Sequence, residues 1–363
     1  MEPRSITRTE FKELIHFLDK NLRQDQQWSI ADEYPLALYE KNLNNFRLIK
    51  HEGQIVASAV VKQLLTKTPV GIFNVAAIGS VVTAPDFRNL GHSHRLLKDC
   101  LELASSKGCD FAILWTDLFE FYNKIGFELA GTEVALHITK SVSKDVMPLR
   151  FVQSHQVSAE ALGRLYTQHR SGALRTASEI ERHLQIPNSR IYTAWDDQNR
   201  LQAYAVEGKG LDLQNYIHEW GGGVSKFLQL LDYIFEQRQG QSFTVMAPAH
   251  AQNLLRQLQE QGIESHYGYL GMFKLLNTAN IIQKVKRQAI AMGVSQFLFE
   301  ERDGTYFLGK PSEVIKISKD ADLVKLLFGP GRPDWGEQPS KEFAETLDSI
   351  FPLPFWIWGW DSV

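Results

Sequence analysis

The chain has 363 residues, 44% of them hydrophobic and 22% charged, with a formal net charge of -3. This is ordinary globular composition, and the length exceeds what one core usually serves, so two or three domains are expected. The lack of a basic stripe argues against a nucleic-acid partner, and two cysteines, Cys100 and Cys109, offer neither zinc spacing nor a disulfide framework and fit a reducing compartment.

Residues 1–10 lack the apolar core of a signal peptide. The longest apolar stretch, 351–360, is too short and too proline-broken to span a bilayer. A cytoplasmic protein without a membrane partner is expected. Apolar spacing at Phe11, Leu14, Ile15, Leu18 and Leu22 predicts a helix. Residues 46–49 and 55–61, around Glu52-Gly53, predict a hairpin. A β-rich run, 72–83, is closed by Pro85 and followed by a loop, 86–91. Next comes an amphipathic helix, 93–107, with Leu96, Leu97, Cys100, Leu101 and Ala104 inward and Gly108 as its stop. A strand at 111–115, a helix at 118–125 and a strand at 134–139 complete an α/β unit of mixed strand direction.

Residues 140–144 form a plausible boundary, and the rhythm then repeats. A hairpin (191–195 and 201–207), a strand (216–220), three glycines (221–223), a helix (225–237), a strand (243–246) and a helix (249–261) follow in the same order. The last part differs: a helix at 281–291, strand-like pieces at 295–299, 306–308 and 314–317, and a helix at 320–327. The aromatic end, 351–363, is expected to dock. The expected units are 1–142, a degenerate second copy over 143–277, and a small α+β unit over 278–363.

The chemistry sits in Ile78-Gly-Ser-Val-Val-Thr83-Ala-Pro-Asp-Phe-Arg88-Asn89-Leu90-Gly91-His92-Ser93-His94. A strand leads through a short loop into a helix, whose first amides are unpaired and carry partial positive charge. Such a turn can cradle a pyrophosphate, with Gly91 allowing close approach and Arg88 adding a fixed charge. It is neither a P-loop nor a dinucleotide fingerprint. His92 and His94 lack a third ligand nearby, so no metal is expected.

Here the sequence resembles the GNAT superfamily of N-acetyltransferases, whose signature is Arg/Gln-x-x-Gly-x-Gly/Ala after a strand. Arg88-Asn-Leu-Gly91-His-Ser93 departs from it only in the last small position. Phe121-Tyr122-Asn-Lys-Ile-Gly126-Phe127 is similar to the element that carries that family's tyrosine acid. The resemblance implies acetyl-CoA as co-substrate and a duplicated mixed sheet flanked by helices. Val81, Val82 and Thr83 would meet the pantetheine, and residues 88–94 (Arg88, Asn89, Leu90, Gly91, His92, Ser93 and His94) the pyrophosphate. Tyr122 would be the general acid, unless it is simply a core aromatic. The strand before the cradle carries no acidic residue to serve as base.

The whole length resembles the enhanced-intracellular-survival type acetyltransferases, which join two GNAT domains to a sterol-carrier-like domain. Residues supporting this include Asn45-Phe-Arg-Leu-Ile, Met272-Phe-Lys-Leu, Asp320-Ala-Asp-Leu and Leu327-Phe-Gly329. In that branch the terminal carboxylate is the base, which here implies Val363; the alternative is a tail that only packs. Asp32, Glu33 and Tyr34 either lid an acceptor pocket and favour a cationic amine or form a solvated loop. The expected activity is direct acetyl transfer to a small-molecule or peptide amine in a ternary complex. Relatives of this architecture assemble, which admits a homo-oligomer. The rival reading is a non-catalytic, CoA-responsive module that holds a lipid or peptide partner.

Overall fold

The computed structural model describes residues 2–144, 147–294, 296–333, 335 and 338–363. Helix α1 (Phe11–Leu22) turns Leu14 and Leu18 inward, and Ser29 starts the short α2 (Ile30–Glu33) by accepting from the Ala31 amide. Strands β1 (Phe46–His51) and β2 (Gln54–Thr68) form the expected hairpin. Strand β3 (Gly71–Thr83), α3 (His92–Ser106), β4 (Phe111–Leu114) and α4 (Phe119–Asn123) follow close to their predicted bounds. Strand β5 (Glu128–Ile138) starts six residues before the predicted 134. Gly131, at φ +76 and with Leu270 2.6 Å from where its Cβ would be, breaks the alternation that marks a strand.

The second half opens with short elements that have no counterpart among those predicted: β6 (Arg150–Gln153), α5 (Ala159–Tyr166), β7 (Gly172–Ala173) and α6 (Ala177–His183). Then come β8 (Arg190–Trp195), β9 (Leu201–Lys209), β10 (Asp212–Gly222), α7 (Val224–Gln237), β11 (Phe243–Pro248), α8 (Gln252–Glu260) and β12 (Glu264–Leu275). The last part holds α9 (Thr278–Ala291), β13 (Leu298–Arg302), β14 (Thr305–Lys310), β15 (Glu313–Ile317), α10 (Asp320–Phe328) and α11 (Lys341–Ile350). Of the predicted piece 295–299, Ser295 lies outside the described residues. Among the described residues no helix is long and apolar enough to cross a membrane.

Twelve of these strands form one mixed sheet, ordered β1-β2-β3-β4-β12-β5-β11-β10-β9-β8-β6, with β7 beside β2. The two halves use the same plan. In each, two antiparallel pairs lead to a parallel pair joined by a helix: β3 with β4 through α3, and β10 with β11 through α7. The halves then trade their closing strands. Strand β12 pairs with β4 (Met272 opposite Leu114), and β5 pairs with β11 (Val245 opposite Leu136). Between them β5 and β12 pair from His137 opposite Glu264 to Glu128 opposite Phe273. Beneath this seam the rings of Phe111, Phe273, Phe328 and Phe355 meet, with Phe273 and Phe328 stacked at 4.7 Å.

The trade makes the seam common property. Phe273→Ala is expected to cost about 3–5 kcal/mol and to shift a single urea transition that both halves share. Two separable transitions, with only one of them moved, would contradict the interlocked sheet.

Candidate functional site

Strands β3 and β4 run parallel but pair only through Val75, Ala76 and Ala77 against Phe111, Ala112 and Ile113. Beyond that they part. A bulge marks the split: Ser58 faces Val82 and Val60 faces Gly79, so β3 carries one extra residue, and Ser80 sits at φ +49. A non-glycine residue held in that region costs on the order of 1–3 kcal/mol, and bulges re-aim the backbone beside functional sites.

A groove of about 620 Å³ runs along the split, lined by Val81, Val82, Thr83, Arg88, Asn89, Gly91, His92, Ser93 and His94. The free amides at the start of α3 face it, and Gly91 precedes that helix at φ +75. Ser93 Oγ lies 2.9 Å from Thr83 Oγ1, which ties the helix start to the end of β3. The Arg88 guanidinium is exposed, reaching Thr83 O at 3.4 Å. Leu90 is exposed and outside the groove lining. His94 is exposed, whereas the His92 ring is buried beside Phe87, with Nδ1 2.9 Å from Arg95. Burial, with the Arg95 charge, holds the His92 pKa below its ordinary value. Among the described residues no group of three or more potential metal ligands exists. Backbone amides beside an exposed arginine suit a diphosphate.

The groove leads into a chamber of about 260 Å³ that contains both Tyr122 and Val363. Tyr122 is buried between Phe121 and Phe127, and its hydroxyl has no hydrogen-bond partner among the described residues. Burial pushes its pKa up to about 12, so it stays protonated at neutral pH. Val363 lies against β3 at Gly79. A Cβ on Gly79 would sit 2.7 Å from the Val363 carboxyl carbon, so only glycine leaves room for the tail there.

The tail reaches this point through the second half of the molecule. Trp356, Trp358 and Trp360 are all buried. Ser171 accepts from Trp358 Nε1 (3.1 Å) through its carbonyl and from the Trp356 amide (3.0 Å) through its hydroxyl. Asp361, the lone acid among these rings, receives Arg175 Nε at 2.8 Å and Lys62 Nζ at 3.3 Å. Arg175 also pairs with both oxygens of Glu219, at 2.6 and 3.0 Å. Burial works against the Asp361 charge, but Arg175 and Lys62 outweigh it and hold its pKa well below the usual carboxylate range. Lys209 Nζ donates to the carbonyls of Gly359 (2.9 Å) and Ser362 (2.7 Å), turning the last residues toward β3.

The acidic segment before the sheet is divided. Asp32 is exposed and caps its own short helix, accepting from the Ser29 amide. Glu33 is fully buried and holds Arg23, the Trp28 indole and the Leu211 amide. Tyr34 lines the chamber and donates to Asp212. The structure thus brings Tyr34, Val81, Tyr122 and Val363 together, and keeps Asp32 and Glu33 out of the chamber lining. Lys62, Arg175, Lys209 and Asp212 carry no local signal. Only Asp361 does, as a charge in an apolar tail that demands a buried partner.

Residues 2–130 match the family model of the acetyltransferase (GNAT) domain. No curated protein matches the chain significantly. Solved structures share its fold along the whole length. A GCN5-related N-acetyltransferase from Anabaena variabilis superposes with a TM-score of 0.66 at 16% identity, over 98% of each chain. One from Kribbella flavida gives 0.62 at 15%, and Eis1 from Mycobacterium abscessus 0.60 at 11%, both over 100% of each chain. At such identities the likeness is one of fold.

Three imidazoles bed the tail: His169 against Trp358 at 4.2 Å, His183 stacked on Trp360 at 5.3 Å, and His218 under Gly359. Burial lowers all three, His169 to about 4 and His218 to about 3. They are neutral when folded, whereas the unfolded chain protonates near pH 6.5, so stability falls as pH drops from about 6.5 toward 4. The His169 contribution alone is ~3 kcal/mol. Urea midpoints taken across that window should decline, and a flat profile would remove this account.

Proposed function

We propose that this chain, which carries an acetyltransferase (GNAT) domain in residues 2–130 and has the GNAT fold, moves an acetyl group from acetyl-CoA to a primary amine. The unpaired edge of β3 beyond Ala77 would hold the pantetheine through the backbone of Val81 and Val82. Arg88, Asn89, Ser93 and the first amides of α3 would hold the diphosphate, with Thr83 bracing Ser93. The observation that carries this reading is the joint lining of one chamber by Tyr122 and Val363, at the inner end of that groove.

Acyl transfer to an amine needs the amine neutral, the oxyanion stabilised and the leaving thiolate protonated. An alkylamine has a pKa near ~10.4, so a proton must be taken from it. Strand β3 offers no acid for this over residues 71–83. The carboxylate at Val363 would be the base, and its contact with β3 at Gly79, beside the edge that would hold the pantetheine, supports that role. Backbone amides on β3 near Val81 supply the oxyanion donors. Tyr122, protonated and dry, returns a proton to the leaving sulfur. Attack is direct, within a ternary complex. Cys100 and Cys109 are buried and lie outside the groove and chamber lining. Burial raises Cys100 to about 12 and Cys109 to about 11, which leaves them poor nucleophiles. Tyr34, Asp32 and Glu33 act on the acceptor side, with Tyr34 in contact and the two acids shaping its surroundings. We also propose the division into units at about residues 142 and 277.

Release of CoA thiol with a panel of primary amines tests the reading. Tyr122→Phe should lower kcat by about 100-fold while leaving the KM for acetyl-CoA unchanged. A short Gly-Ser extension after Val363 should abolish turnover, and the same extension before Met1 should not. Equal turnover with both extensions would remove the carboxylate from the mechanism.

A further inference from the structure

Behind the tail lies a second cavity, of about 380 Å³, which the mechanism above does not use. It shares Tyr34, Trp115, Asp212 and Val363 with the reaction chamber, so the two open onto each other at the tail. Its walls are largely apolar: Trp115, Met246, Leu270, Trp356 and Ile357. One carboxyl enters from the far side, that of Glu133 on β5.

Glu133, half-buried, differs from the fully buried acids of this molecule. Glu33, Glu207, Glu219 and Asp361 each hold an arginine. Glu133 has no ion pair or hydrogen bond among the described residues. Its cross-strand partners, Pro248 on β11 and Gly268 on β12, bring no charge. Of the other polar groups on the cavity, His218 Nδ1 and the Trp356 indole also lack a partner among the described residues, but neither is a carboxyl. Asp212 takes Tyr34 and Arg23, and His218 Nε2 lies 3.0 Å from the Gly208 carbonyl. A lone carboxyl facing aromatic walls is costly to keep unless a ligand completes it.

We infer that this cavity is the acceptor site and that it selects a small amine with an apolar body and a second cationic or hydrogen-bond-donating end, which Glu133 receives. This deepens the acetyl-transfer reading and rests on it. The reacting amine would lie at Val363, the body between Trp115 and Trp356, and the second end at Glu133. A polyhydroxylated amine would leave its hydroxyls unpaired against these walls. Burial raises the Glu133 pKa to about 7, so the group it receives meets a carboxylate only above that pH. The titratable groups facing it are few. His218 stays neutral, pushed down to about 3, while Asp212 and the Val363 carboxylate stand at the opposite end.

Binding and turnover separate this inference from the reading beneath it. Calorimetry at pH 8 compares 1,8-diaminooctane, n-octylamine and glucosamine on the full chain. The diamine should bind about tenfold or more tightly than octylamine, with glucosamine weakest. In Glu133→Gln the preference of diamine over octylamine should fall to near unity. Diamine affinity should weaken below about pH 7 in the wild type and not in the variant. Equal binding of diamine and octylamine, a preference for glucosamine, or a preference unmoved in Glu133→Gln overturns the inference. The thiol-release assay decides the other question: diamine that binds as described but is never acetylated refutes acetyl transfer and leaves the site standing.

Discussion

The arrangement depends on a salt bridge buried at the end of the chain. Asp361 sits among three tryptophans and is held by Arg175 and Lys62, while Glu219 secures Arg175 from the other side. Taking these charges out of water is expensive, and apolar side chains of similar volume could fill the space with less penalty. What ions provide and apolar packing does not is a single register. A greasy tail could slide by a residue; one pinned by a fork of hydrogen bonds at Asp361 delivers Val363 to one spot on β3. The partners come from both halves, Lys62 from β2 and Glu219 from β10, so the tail is also a tie between them.

The two halves show what duplication allows. Each has a parallel pair that separates after two or three residues. In the first half the separation stays open as a groove. In the second, Trp220 reaches across to donate to the Met246 carbonyl, and the tail lies over it with Gly359 against His218. One copy of the split keeps room for a ligand, and the other has become the bed on which the tail is laid.

Much of this was legible in the sequence wherever the cause is local. The loop before α3 and Gly91 at its start follow from short-range spacing, and the Phe121–Phe127 element from its resemblance to the family's tyrosine element; both form the local structure expected of them. The hairpins and the amphipathic helices are of the same kind, and so is the docking of the aromatic tail. The exchange of β5 and β12 was not legible, because pairing partners are chosen by the assembled sheet and not by period. Nor were the partners of Asp361: Arg175 lies 186 positions away. The segment of Asp32 and Glu33 misleads in an instructive way. On paper both acids sit on one exposed loop, yet Glu33 is buried because Arg23 and the turn at Leu211 close over it. Glu133 carries no signal at all: it precedes the strand predicted from 134, and residues of the other half, Met246 and Leu270, wall the cavity it lines.

The trading of strands has a consequence for the order in which the protein comes into being. Strand β4 ends at Leu114 and its neighbour β12 begins at Glu264, 150 positions later in synthesis. At the usual pace of translation that is about 8–30 s. Through that interval β4 lacks the partner it has in the finished sheet on the side away from β3. The chamber, which Asp212 and Val363 line together with first-half residues, is therefore completed only when the second half and the tail arrive.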